Sequence, residues 1–221
     1  MSVKSLAIKG TIGLISVGGA SGLVAHQLLS KQENKQKNSI GDKLEREKYI
    51  LLSQDSQTWS TILDKYKEVT ASKTNFKFDD FDGNKPSGSD KEAVDILKDH
   101  CQKTLSKKET DADSNAVFEK ARKWCVVPIS VTEILDKQGF KALDTGATKT
   151  GWEAKIKGYK TAAAGVQKIA NLTLSTDANT TIEKDYTDIK EKCRTISTVK
   201  NHDATFEETL KGFELWCANK E

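Results

Sequence analysis

The sequence predicts an all-α protein: two tandem copies of a helical repeat of about 90 residues, placed after an N-terminal membrane-spanning helix. Three observations carry this reading. The chain holds only two prolines, Pro86 and Pro128, and few β-branched runs, so helices are permitted and strands poorly supported. A set of tryptophans, tyrosines and cysteines recurs in one order along the chain. Near the start, Gly10 to Ala25 runs without a charged residue in a protein whose residues are 30% charged.

The N-terminal segment comes first. Lys4 and Lys9 precede the apolar run, and from Gly10 to Ser30 the only ionisable group is His26. That length meets the roughly 20 residues a spanning helix requires. Gly10, Gly13, Gly18, Gly19 and Gly22 lower its hydrophobicity, yet glycine is better tolerated in membrane helices than in soluble ones. Residues 1–30 are therefore read first as a retained signal anchor. A signal peptide cleaved after Gly18-Gly19-Ala20 is the second reading, and a buried soluble helix the third. Lys4 and Lys9 stay cytoplasmic by the positive-inside rule, which puts the rest of the chain outside the cell membrane as a single-pass ectodomain. Residues 31–38 (KQENKQKN) form a polar tether.

Copy one spans residues 39–127 and copy two residues 128–221, with Pro128 at the joint. Ser39-Ile40-Gly41-Asp42-Lys43-Leu44-Glu45 corresponds to Ser130-Val131-Thr132-Glu133-Ile134-Leu135-Asp136. Tyr49 and Leu52 correspond to Phe140 and Leu143, and Trp59, Leu63 and Tyr66 to Trp152, Ile156 and Tyr159. Leu97 and Cys101 match Ile189 and Cys193, and Trp124-Cys125 matches Trp216-Cys217. Each copy should open with a capped helix, because Ser130 with Glu133 forms a capping box and Ser39 with Asp42 a weaker version. A second helix carries the Trp, aliphatic and Tyr stripe on one face, more in keeping with a core than with an exposed interface. A third carries Ala93, Ile96, Leu97 and Cys101. The fourth carries Phe118, Ala121 and Cys125, matched by Leu210, Phe213 and Cys217. Between the second and third helices, FKFDDFDGNKPSGSD reads as a loop, and its counterpart TAAAGVQKIANLTLS reads as more helical.

The cysteines lie at the same separation in both copies. Behind a membrane-targeting segment they read as two disulfides, Cys101 with Cys125 and Cys193 with Cys217. Each would close a loop and contribute ~3 kcal/mol on the chain-entropy account. Four cysteines permit three connectivities, and four reduced buried thiols are the alternative. Pairing within a copy is preferred because duplication preserves what closed one unit. The third and fourth helices should then pack Leu97 on Phe118 and Ile189 on Leu210, with Gln102 to Ser114 and Arg194 to Ala204 running back between them.

Chemistry is scarce. Beyond the two leading lysines, basic and acidic residues nearly balance, and arginine occurs only at Arg46, Arg122 and Arg194. A nucleic-acid partner would call for a basic patch, so none is expected. Phe78-Asp79-Asp80-Phe81-Asp82-Gly83-Asn84 departs from a calcium loop at Phe78 and Ser89, where that loop needs acids, and reads as a solvated turn. The chain has no CxxC, and His26, His100 and His202 are not repeated between copies, so no metal site or cofactor is expected. No P-loop, nucleophile elbow, zinc-protease motif or dinucleotide fingerprint occurs, and His100 beside Cys101 points elsewhere on a helix. Catalytic residues are therefore expected to be absent. Asn171-Leu172-Thr173 and Asn179-Thr180-Thr181 are glycosylation sequons that matter only with eukaryotic machinery.

The segment Arg122-Lys123-Trp124-Cys125-Val126-Val127-Pro128-Ile129-Ser130-Val131, with the glycine-rich N-terminal run and the repeated Trp-Cys positions, resembles the large paralogous protein families of haemotropic mycoplasmas. The resemblance covers nearly the whole chain and transfers no functional residue. It implies a multicopy, surface-exposed membrane protein of a wall-less bacterium, with a role in antigenic variation or contact with a host-cell surface protein. The expected function is thus a membrane-anchored binding or antigenic protein without catalysis. An anchored enzyme with a site between the copies, or a scaffold packing with paralogues, are the alternatives.

Overall fold

A computed structural model describes residues 38–177 and 180–221. The expected anchor at residues 1–30 and nearly all of the tether lie outside the described residues, and among those described no helix is long and apolar enough to cross a membrane. The described residues form one compact unit. It is mostly helical, with α1 (Ile40–Arg46), α2 (Trp59–Thr70), α3 (Ala93–Ser106) and α4 (Ser114–Trp124) in its first half. The second half holds α5 (Val131–Lys137), β1 (Phe140–Ala142), α6 (Trp152–Thr161), α7 (Glu183–Ile196), α8 (Phe206–Trp216) and β2 (Ala218–Lys220).

Local sequence explains where the helices start. Asp42 N donates to Ser39 Oγ at 3.1 Å while Ser39 N donates to Asp42 Oδ2 at 3.0 Å, a complete capping box at α1. Ser130 and Glu133 make the same reciprocal pair at α5, at 3.3 and 2.8 Å. Each cap occupies a helix-start donor that would otherwise be unpaired. On α2 the buried positions Trp59, Ile62, Leu63, Tyr66 and Val69 recur every three or four residues and form one face; on α6 the face is Trp152, Ile156 and Tyr159. The stripe belongs to the core, which runs as one cluster through both halves.

The halves repeat the same polar anchors within that core. Trp59 Nε1 donates to Ser53 O and Trp152 Nε1 to Asp144 O, at 2.8 and 2.7 Å. Trp124 Nε1 donates to Phe76 O and Trp216 Nε1 to Gln167 O, at 2.9 and 2.7 Å. The rings of Tyr66 and Trp124, and of Tyr159 and Trp216, meet edge to face at 5.1 Å in both cases. These bonds let large amphipathic rings be buried without stranding their polar ends.

Two features differ from the sequence reading. The fold is not purely helical: β1 and β2 pair antiparallel, Phe140 opposite Lys220. The first half has only a single bridge there, Leu51 opposite Val126. In both halves the residue after the cysteine-bearing helix is brought beside the segment following the opening helix, where Leu52 N donates to Cys125 O and Leu143 N to Cys217 O. Strands of three residues leave no alternation to read. The second difference is residues 162–175, expected to be helical but folded as a loop. Its carbonyls are taken by side chains instead: Gln167 O by Trp216, and Ile169 O and Leu172 O by Tyr159 Oη at 3.2 Å. Gly165 and Asn171 adopt positive φ within it, which no helix accommodates.

The joint between halves is buried and polar. Lys123 is fully buried, and its ammonium donates to Asn201 O and Asp203 O at 3.2 and 2.9 Å, lies 2.9 Å from Glu207 and sits over the Phe76 ring. Burial pushes its pKa down, with Glu207 pulling the other way. Asn201, also fully buried, accepts from Ile129 N and donates to Arg122 O and Lys123 O. Lys123 and Asn201 thus have partners for their buried donors, the condition for burying such groups without heavy cost, whereas Arg122 Nε and His202 Nδ1 beside them have none among the described residues.

Candidate binding cleft

The cleft is framed by the cysteine-bearing helices. Cys101, on α3, pairs with Cys125 just past α4 (Cα to Cα 5.3 Å), and Cys193, on α7, pairs with Cys217 just past α8 (5.7 Å). Both distances suit a disulfide. The helices run on past the first cysteine of each pair, to Ser106 and Ile196, so the connectors are shorter than the sequence reading placed them. Leu97 and Ile189 are fully buried beside these bridges, whereas Leu210 is only half-buried.

Against each helix pair lies the loop that follows α2 or α6, and here the halves part company. In the first half Tyr66 Oη donates to Phe81 O and accepts from Phe78 N, both at 2.8 Å. Burial holds that phenol up at about 12. Phe78 and Phe81 are thereby turned inward, where both stack on the His100 ring with centroids 5.3 and 5.5 Å away. The aspartate-rich segment is a loop, as expected, but not a wholly solvated one: its two phenylalanines are buried while Asp79, Asp80 and Asp82 face water. His100 packs on rings, and Cys101 is bridged, so the neighbouring pair makes no nucleophile and base. Burial lowers the His100 pKa.

In the second half Tyr159 holds the loop through Ile169 and Leu172, Lys192 stands where the first half has His100, and no phenylalanine is present in the loop. A cavity of 180 Å³ opens there, lined by Ile169, Ile196, Val199 and Gly212 with Lys192 and Glu208 among the polar groups. A shallower depression of 380 Å³, flanked by Asp188, Glu191 and Lys192, adjoins it across Asn171. The exposed sequon residue Asn171 thus sits on the ridge between the two, and Asn179 lies outside the described residues.

A buried ion pair fixes the outer part of this loop. Lys160 and Asp185 side chains are 3% and 1% exposed and lie 2.6 Å apart. Lys160 also donates to Ser175 Oγ and Thr180 O at 2.7 Å, and Asp185 accepts from Ser175 N and Ser175 Oγ at 2.8 Å and from Ile182 N at 3.2 Å. Burial alone would raise the Asp185 pKa, but Lys160, Ser175 and Ile182 together hold it down at about 2. Sequence reasoning missed this clamp. Nothing about Lys160 or Asp185 distinguishes them among so many lysines and aspartates, and their first-half counterparts are Lys67 and Ala93.

Glu119 and Glu207, one from each half, both face Arg122; Glu207 also faces Lys123. Burial raises the Glu119 pKa, Arg122 opposes that and Glu207 adds to it. Neither residue lines the cavities described above. Among the described residues no group of three or more His, Cys, Asp or Glu could hold a metal ion. Comparison with protein-family models, with curated proteins and with solved structures finds no match for this chain.

Proposed function

We propose that this protein is a membrane-anchored, surface-displayed binding or antigenic protein without catalytic activity, its ectodomain built from two copies of one disulfide-closed module. The duplication is supported by the shared caps, the paired Trp and Tyr hydrogen bonds and the equal cysteine separations. One observation carries the functional reading: beside Lys192, the counterpart of His100, the second half opens a 180 Å³ cavity with an apolar wall, whereas His100 in the first half is covered by Phe78 and Phe81. A concave, partly apolar surface in one half only is free to serve recognition. The N-terminal run with Lys4 and Lys9 supplies the anchor and orientation, and the resemblance to haemotropic mycoplasma families points to a host-cell surface as the partner.

The test has two parts. Protease applied to intact cells should remove residues 39–221, and the ectodomain should be retained on host-cell membranes in a saturable way. An ectodomain fully protected from protease sinks the placement, and retention no greater than that of an unrelated protein sinks the binding reading. Packing with paralogues is a second reading, favoured by Ile50 and Val127, which are 58% and 39% exposed beside Pro128. It predicts co-purification of sister chains that is lost in Ile50→Lys.

A further inference from the structure

One turn occurs in both halves and is covered in only the second. Lys108 N donates to Asp111 Oδ2 and Asp111 N to Lys108 O, both at 3.2 Å. Lys200 N donates to Asp203 Oδ2 at 2.8 Å and Asp203 N to Lys200 O at 2.9 Å. The shared bonds make Thr110 and His202 counterparts. Thr110 is exposed, whereas His202 is buried, and α4 of the first half is seated on the second turn. Lys123 Nζ donates to the carbonyls on either side of His202, those of Asn201 and Asp203, and Asn201 Nδ2 donates back to Arg122 O and Lys123 O.

The surroundings of the imidazole oppose a positive charge. Asp203 favours one, while Lys65 from α2, Lys200 from the turn itself and Lys123 from α4 all act against it. Asp203 already accepts from the Lys200 amide and lies 3.9 Å from Lys65. Glu207, on α8, lies 2.9 Å from Lys123 and also faces Arg122. Among the described residues Nδ1 is buried with no hydrogen-bond partner. In the neutral ring that nitrogen can remain an acceptor, but an imidazolium carries a hydrogen on both nitrogens. A proton taken up here therefore strands a charged donor inside the joint.

We propose that His202 is an acid-sensitive latch on the joint: proton uptake by its imidazole loosens the hold of the second turn on α4, while each half keeps its own Trp anchors. Burial favours the neutral ring in the closed joint, and opening lets the ring reach water as Thr110 does. The closed joint is thus fully favoured above the ordinary histidine value of 6.5 and loses ground as pH falls below it. Glu119, whose carboxyl burial raises, acts in the opposite sense and cannot produce a loss as pH falls.

Side-chain N–H exchange in the full chain, in mild detergent, reads the latch directly. The Asn201 carboxamide reports the joint, and the Trp124 and Trp216 indoles, bonded to Phe76 O and Gln167 O, report the inside of each half. Each rate is divided by the intrinsic rate at the same pH. Protection of the Asn201 carboxamide should fall about threefold or more between pH ~7.5 and pH ~5, while both indoles change by less than about twofold. The fall should share its midpoint with the NMR titration of the His202 imidazole. His202→Gln keeps a polar side chain that does not titrate and should flatten the profile, and His100→Gln should leave it as in wild type. If His202→Gln fails to fold, the shared midpoint in wild type decides. Unchanged Asn201 protection overturns the proposal, as does a midpoint apart from that of His202, or a fall that persists in folded His202→Gln or vanishes in folded His100→Gln. Indoles that lose protection in step with Asn201 also overturn it, since whole halves are then unfolding.

Discussion

Replacing Asp185 with asparagine removes the charge at the centre of the loop clamp while keeping its shape. In the native structure the carboxylate answers four donors, the Lys160 ammonium, the Ser175 amide and hydroxyl and the Ile182 amide. Asparagine keeps one acceptor oxygen and turns the other into a donor facing donors. It also leaves Lys160, 3% exposed, without its counter-ion. Breaking a buried pair from one side costs about 3–5 kcal/mol. Lys160 keeps Thr180 O and Ser175 Oγ as neutral partners, so a cost of about 2–3 kcal/mol at neutral pH is expected.

The pH dependence gives an independent measure of the same clamp. The folded carboxyl titrates at about 2 against an ordinary 3.8. A depressed acid contributes stability that is present above its unfolded pKa and lost as pH falls through the folded one. The shift corresponds to about 1–2 kcal/mol after allowance for solvent screening, present above pH ~4 and gone by pH ~2. Urea unfolding of wild type, Asp185→Asn, Lys160→Met and the double variant, at neutral pH and at pH ~2, separates the pair from its surroundings. The double variant should recover part of the loss, since neither charge is then orphaned. A cost below ~0.5 kcal/mol at neutral pH, or the same cost at both pH values, would refute the reasoning.

Three further outcomes are expected. Cys193→Ser with Cys217→Ser should lower stability by ~3 kcal/mol, read as a drop in the urea midpoint, and the intact protein should have no free thiol on alkylation; a thiol-reactive native chain would count against both bridges. Burial lowers the pKa of His100 and His202 below 6.5, so their contribution is present above pH ~6.5 and declines as pH falls below it; imidazole NMR titration should give midpoints under that of free histidine. Lys123→Ala should cost about 3–5 kcal/mol in thermal or urea unfolding, because it strands Glu207 and the carbonyls of Asn201 and Asp203, whereas a surface substitution such as Lys108→Ala should cost under ~0.5.

The parts of this fold that were legible in the sequence are those whose signal is local or repeated. Ser39 and Ser130 announce helix starts through a partner three residues on, and Trp59, Leu63 and Tyr66 announce a buried face by spacing alone. The cysteine pairs, Cys101 with Cys125 and Cys193 with Cys217, follow from the recurrence of one separation. The segment around Ile169 was misread because Ala162, Ala163 and Ala164 raise helix propensity, whereas the outcome is decided by Tyr159 and Trp216, distant donors that claim its carbonyls. Lys160, Asp185, Lys123 and Asn201 gave no signal, since each acquires its role from partners ten or more residues away. The cavity was invisible for a related reason: its wall joins Ile169, Ile196, Val199 and Gly212, which only the fold brings together.

The joint itself is built from residues that differ between the halves. The surface that α4 offers to the second half does not recur on α8, and the segment it meets does not recur ahead of α4. Lys123, whose ammonium enters the joint, corresponds to Leu215 on α8, and Arg122 to Glu214. Asn201, which holds the Ile129 backbone from both sides, corresponds to Glu109, whose amide meets Asn38 O and whose carboxylate instead faces Arg46. Phe206, fully buried at the joint, corresponds to Ser114. The residues that bind the halves to one another are thus ones that the halves do not have in common. Residues common to both halves, such as the Trp and Tyr anchors, hold each half's own core, and residues peculiar to one side, such as Lys123 and Asn201, hold the halves together.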